Sequence, residues 1–173
     1  MKVLPNRLVL SVLAAGLLSA ITISAQTSGP RTVLDYYKIL PDKFFEADRK
    51  QRLDWMLDPK RGAIVDSKNG YLFAPGDGAQ TDIYLSLFKK LSRGYVVGVE
   101  YHAPDTQDFT YVEFYVYQNG SWTEVTKSVT PVKINVELKY ELPRYGTRVS
   151  VKDKRGRRLY YLVWTGERFR LQR

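Results

Sequence analysis

The sequence predicts an α+β fold that is mainly β: two short N-terminal helices packed on a curved antiparallel meander of about eight to ten strands, barrel- or sandwich-like. Three observations carry this. Between Ile83 and Val125 stand four runs rich in Val, Tyr, Phe and Leu: Ile83–Lys89, Tyr95–Tyr101, Phe109–Tyr117 and Trp122–Val125. Turn signals separate them: Ser92-Arg93-Gly94, Ala103-Pro104-Asp105 and Asn119-Gly120. Gly and Asn accept positive φ there, and Pro presets its own φ while lacking a donor. Finally, residues 32–58 keep a helical rather than a strand period.

Residues 1–25 read as a cleaved secretory signal peptide. Lys2 and Arg7 precede an uncharged run from Leu8 to Ile23, and Ser24-Ala25 offers a small-residue cleavage point, although Ile23 at minus three is bulky. A retained membrane anchor is the alternative, but the run is shorter than the roughly 20 residues a span needs. The mature chain is expected to be exported, periplasmic or extracellular, without a transmembrane anchor. Gln26–Arg31 is then a flexible lead-in, and 32–173 one globular domain, helical over 32–58 and β-rich over 61–171.

Composition narrows the chemistry. The 173 residues contain no Cys and a single His, His102. Disulfides, lipid attachment at a cysteine, thiol catalysis and Cys-based zinc sites are therefore excluded, as are multi-histidine metal centres. Neither a metal nor a cofactor is implied.

Thr32 can cap a first helix with Asp35 three residues on, and Val33, Leu34, Tyr36, Tyr37 and Leu40 recur at helical spacing before Pro41. Phe44, Phe45, Leu53, Met56 and Leu57 mark a second helix closed by Pro59. Ala63–Val65 and Tyr71–Phe73 are short strands around Asp66–Gly70, and Pro75–Gly78 is a loop. Centring the next loop near Asp105 pairs Tyr101 with Phe109, Val99 with Tyr111 and Val97 with Glu113. Tyr95, Tyr101, Phe109, Tyr111 and Tyr115 then share one face, and Val96, Val112, Phe114 and Val116 the other. Both faces are apolar enough to need covering, which predicts a two-layer structure.

After Pro131, Ile134, Val136, Leu138 and Tyr140 alternate with Asn135, Glu137 and Lys139, which predicts a strand with one wet face. Leu142–Gly146 is a turn. A tight turn at Arg155-Gly156 pairs Val151 with Tyr160, Val149 with Leu162 and Thr147 with Trp164, leaving Arg148, Ser150 and Lys152 on the opposite face. Gly166-Glu167 turns into a last strand, Arg168–Leu171. Tyr117–Trp122 and Trp164–Phe169 echo each other, an aromatic, a Gly-bearing turn and an aromatic five residues on, which predicts one hairpin solution used twice.

The charge is concentrated. Residues 26–143 carry 15 Lys/Arg and 16 Asp/Glu, whereas residues 144–173 carry 10 Lys/Arg against Asp153 and Glu167 alone. The candidate anion-binding residues are accordingly Arg144, Arg148, Lys152, Lys154, Arg155, Arg157 and Arg158. They suit an anionic polysaccharide, lipid headgroups or an acidic protein surface. Nucleic acid is less favoured than these for an exported protein. Basic terminal strands also protect a sheet edge from aggregation, which is the competing explanation.

The aromatic set Tyr95, Tyr101, Phe109, Tyr111 and Tyr115 is a candidate face for stacking a sugar or peptide, although aromatics also fill sheet cores. Asp66, Asp77 and Asp82 have the chemistry of a calcium site but no EF-hand spacing. Asn119-Gly120-Ser121 fits a glycosylation sequon, and fits a two-residue hairpin turn better. Catalysis is weakly supported. There is no G-x-S-x-G elbow to partner His102, read as a loop residue beside Asp105 and Asp108, and Glu100 and Glu113 fall on opposite faces.

The sequence therefore leans to an exported non-enzymatic binding module using its basic C-terminal hairpin. A small secreted hydrolase whose carboxylates meet only in the fold, or an inhibitor of a cell-wall lytic enzyme, are the alternatives.

Overall fold

The computed structural model describes residues 29–45, 53–76, 81–102 and 110–173. The chain is mainly β, as its sequence predicts, and its described residues form ten strands in two antiparallel meanders. The first sheet runs in sequence order: β1 (Ile64–Asp66), β2 (Tyr71–Ala74), β3 (Ile83–Lys89), β4 (Tyr95–His102), β5 (Thr110–Gln118) and β6 (Ser121–Glu124). The second joins β7 (Lys139–Glu141), β8 (Arg148–Lys152), β9 (Arg158–Trp164) and β10 (Phe169–Gln172), again each beside the next. The sheets stack, and neither closes into a barrel.

Helix α1 (Val33–Lys38) begins as its capping residues require. The Asp35 amide donates to Thr32 Oγ1 at 3.2 Å, and Asp35 Oδ2 accepts from the Thr32 and Arg31 amides at 2.9 and 3.0 Å. Those donors hold the Asp35 carboxyl below the usual carboxylate range. The second helical pattern is described only at its two ends. A 3-10 turn, Asp42–Phe44, gives way to extended Phe45, and a helical turn follows at 53–55. The intervening 46–52 lie outside the described residues.

There are three layers rather than two, because the six-stranded sheet is covered on both faces. On one side Val33, Tyr36, Tyr37, Leu40, Phe44 and Met56 pack onto Leu72, Ala74, Ile83, Leu85, Val97, Val99 and Tyr115. On the other, Phe88, Val96, Val112 and Phe114 meet Tyr140, Leu142, Val149, Val151, Leu162, Trp164 and Phe169 of the second sheet. The β4–β5 register is Tyr101↔Tyr111, Val99↔Glu113, Val97↔Tyr115, two residues from the predicted pairing. A slip of two preserves which face every side chain occupies. The face assignment therefore holds while the pairing does not.

The predicted strand over 134–140 shortens to β7. Asn135 is the reason. Its Oδ1 accepts from the Glu137 amide at 3.0 Å, and its carbonyl accepts from Leu138 N at 3.0 Å, so the chain turns where the alternation suggested extension. The one-turn helix α2 (Thr126–Val129) and this irregular stretch carry the chain from one sheet to the other.

Both echoing hairpins form. Tyr117 pairs with Trp122 and Trp164 with Phe169, with ring centroids 5.1 and 5.0 Å apart and interplanar angles of 60° and 61°. Asn119 and Gly120, at φ of 51° and 80°, make the first turn of the two-residue kind.

Polar contacts fasten the layers. Glu100 Oε2 accepts from Leu142 N at 3.0 Å, Ser86 Oγ donates to the Pro143 carbonyl at 2.8 Å, and Trp164 Nε1 donates to the Lys89 carbonyl at 2.6 Å. Between them lies Gly98, where a Cβ would stand 3.0 Å from Leu142 Cδ2, 3.0 Å from Phe88 and 3.2 Å from Phe114. Gly98→Ala is expected to lower stability by about 1–3 kcal/mol through overpacking, read from the urea midpoint; an unchanged midpoint would show that the sheets can separate without cost.

Burial pushes Tyr140 up to about 12, and Tyr101 likewise to about 12 with Glu113 adding to it. Each contributes stability that is complete below the ordinary tyrosine value of about 10 and lost as pH rises through the folded value. Alkaline unfolding is expected between roughly pH 10 and 12, with tyrosinate absorbance rising cooperatively with loss of β-sheet signal. Gradual ionisation at ordinary values in the intact fold would contradict it.

Candidate functional site

The β8–β9 hairpin forms in the predicted register, Val149↔Leu162 and Val151↔Tyr160, with Trp164 N donating to the Thr147 carbonyl at 2.9 Å. Val149, Val151, Leu162 and Trp164 point into the core, so Arg148, Ser150, Lys152, Tyr161 and Val163 face away from it. A β-bulge changes the end of the hairpin: Lys152 pairs with Arg158, which leaves Leu159 as the extra residue. Without that bulge Leu159 would oppose Lys152. With it, Arg158 does.

Lys139 pairs with Lys152 and Glu141 with Ser150 across β7, and Arg170 pairs with Val163 across β10. The outer face of the second sheet thus carries Lys139, Arg148, Lys152, Arg158 and Arg170 around half-buried Ser150, Tyr161 and Val163. Among the described residues no helix or strand packs over this face; both hydrophobic clusters lie elsewhere. The Arg158 and Arg148 guanidinium carbons stand 4.8 and 5.8 Å from the Tyr161 ring centroid, so one ring is shared by two cations. Glu141 bonds Lys152 at 2.5 Å.

The seven predicted basic residues divide into three groups. Arg148, Lys152 and Arg158 lie on the outer face. Lys154, Arg155 and Arg157 stand at the turn between β8 and β9, all exposed. Arg144 is held elsewhere, its Nε 2.9 Å from Asp66 Oδ2 at the end of β1, where it ties the two sheets together. Asp153 does not simply offset its neighbours. Its Oδ1 accepts from the Arg155 and Arg157 amides at 3.0 and 2.8 Å, and its Oδ2 accepts from Arg157 Nε at 3.1 Å. The Arg157 amide first, then the Arg155 amide and the Arg157 charge, hold this carboxyl below its ordinary value.

Lys139, Arg170 and Tyr161 were not among the sequence candidates. Each is the outward residue directly across a strand pair, so knowledge of strand order alone would have found them.

Four of the aromatic candidates, Tyr95, Tyr101, Tyr111 and Tyr115, lie on the helix-covered face. Tyr95 meets Tyr36 edge-on at 6.2 Å, and Tyr101 and Tyr115 meet Phe44 at 5.4 and 5.6 Å. Tyr111 stacks on Tyr101 at 5.3 Å, and Phe109 lies outside the described residues. The Tyr115 hydroxyl donates to Glu113, which also pairs with Lys43 at 2.9 Å. Beside α1, an open groove of about 1250 Å³ is bordered by Tyr36, Tyr95, Tyr117, Arg31, Lys38 and Arg93.

His102 closes β4 opposite Thr110 instead of lying in a loop, because the ladder runs one pair past Tyr101. Its side chain, and Asp105 and Asp108, are outside the described residues. Glu100 and Glu113 do occupy opposite faces of the sheet: Glu100 reaches the second sheet and Glu113 the helical side. Asp66 is engaged by Asn69 and Arg144, and Asp82 accepts from Gly76 N at 2.7 Å. Asp77 lies outside the described residues.

Neither the protein-family models nor the curated proteins nor the solved structures yield a match to this chain.

The amide resonances of Arg155 and Arg157 are expected to titrate together as Asp153 protonates, with a midpoint below the ordinary aspartate value of about 3.9. A depressed carboxylate contributes turn stability above its unfolded pKa and loses it as pH falls through the folded one. A midpoint at or above the ordinary value would show that the carboxylate does not organise the turn.

Proposed function

We propose that this protein is an exported, non-enzymatic binding module that holds an anionic envelope component or partner through its basic C-terminal hairpin. The observation supporting this is the juxtaposition of Arg148, Lys152 and Arg158 with Lys139 and Arg170 on a strand face left uncovered by the described residues, with Glu141 as the carboxylate beside them. Lys154, Arg155 and Arg157 extend the positive charge beyond the sheet. Summed over such a surface, fields of one sign attract anions and accelerate encounter. Guanidinium groups add planar, two-pronged recognition of phosphate and carboxylate. Export rests on the leader pattern of residues 1–25.

The test is retention of the protein on its own cell-envelope fraction across a salt series. Retention should be strong at low salt and fall steeply as salt rises. Substituting Ser for Arg155, Arg157 and Arg158 together should leave the unfolding midpoint nearly unchanged, since exposed charges contribute little to stability, while weakening retention several-fold. No retention at low salt would reduce these charges to protection of the sheet edge.

A further inference from the structure

We infer that the anionic partner is the surface of a lipid bilayer bearing anionic headgroups, lying flat against the outer face of the four-stranded sheet. This rests on the reading just given and names its ligand. The first argument is geometric. The cations are spread in two dimensions, one or two on each strand: Lys139 on β7, Arg148 and Lys152 on β8, Arg158 on β9 and Arg170 on β10. With neighbouring strands about 4.8 Å apart, they span roughly 15 Å across the sheet. Proteins that follow a linear polyanion do so along a groove, charge after charge. Here the charges ring a sheet face, and a planar array complements a planar surface.

The second argument is what the ring encloses. Tyr161 and Val163 are half-buried at its centre, and the tyrosine ring lies beneath two guanidinium groups. A ring with an apolar body and a polar tip suits the headgroup level of a bilayer. Leu159, 38 % exposed at the bulge, adjoins Arg158, and Val163 lies between Arg148 and Arg170, its partners on the two neighbouring strands. Apolar side chains beside cations add acyl-region contact to charge attraction. A soluble polyanion has no use for them.

The experiment is co-sedimentation of the purified protein with vesicles of phosphatidylcholine containing about a third phosphatidylglycerol, against pure phosphatidylcholine vesicles and against soluble polyphosphate. Comparing variants within one background cancels any contribution of residues 1–28. Binding should require the anionic lipid and weaken with salt. Replacing Arg148, Lys152 and Arg158 together by Ser should reduce it by about tenfold to a hundredfold, since each cation near such a surface adds roughly fivefold. Leu159→Ser should weaken vesicle binding and leave polyphosphate binding unchanged. Circular dichroism melts confirm that the variants fold; if the triple variant does not, the same charges are removed singly. Capture of polyphosphate with no preference for anionic vesicles would overturn the lipid surface and leave the anion-binding reading standing. Binding to neither would overturn both, and vesicle binding indifferent to all the variants would place the contact elsewhere on the chain.

Discussion

Strand β4 is the member on which the rest of the structure depends, because consecutive residues of it serve two different cores. Val97 and Val99 close the helical side, while Val96, Gly98 and Glu100 face the second sheet. A strand buried on both faces has no solvent-facing alternate residue to mark its register, so small and polar residues must position its partner. Gly98 permits the approach of Leu142, and Glu100, 6 % exposed, captures the Leu142 amide. A buried carboxylate left without its donor would be costly, which makes this contact a positional constraint as well as a contact.

That constraint decides which surface is left over. Once β7 is anchored through Leu142 and Pro143, β8, β9 and β10 follow as a meander, and their inward residues complete the second core. Their outward residues have nothing in the described fold to pack against. Lys139, Arg148, Lys152, Arg158 and Arg170 occupy those positions, and Tyr161 is the large ring among them. The bulge at Leu159 completes the set by moving Arg158 to that side. The same sheet thus buries one face to fold the protein and presents the other.

The two aromatic hairpins show how the meanders are held at their ends. Trp122 and Trp164 each pair with an aromatic across the hairpin and spend the indole N–H on a backbone carbonyl elsewhere, Ile39 at 2.8 Å and Lys89 at 2.6 Å. One pins the end of α1 to the first sheet, and the other pins the β3–β4 turn to the second. Similar hairpins therefore do opposite jobs, joining the middle layer to each of its neighbours.

Local chemistry alone determined much of this protein. The capping of α1 by Thr32 and Asp35, the Asn119-Gly120 turn, the β8–β9 register and the division of the aromatic and aliphatic residues between the faces of β4 and β5 all follow from period, propensity and turn residues. These are short-range properties, and the two-residue slip in β4–β5 left the faces intact because side chains alternate with period two. Tertiary structure decided the rest. It split one expected meander into two sheets, since Asn135 turns a stretch whose apolar alternation read as strand. It separated Arg144 from the other cations by giving it Asp66, and added Lys139, Tyr161 and Arg170 to them. Which strands lie side by side depends on contacts distant in sequence, and a surface composed across four strands is legible only once their order is known.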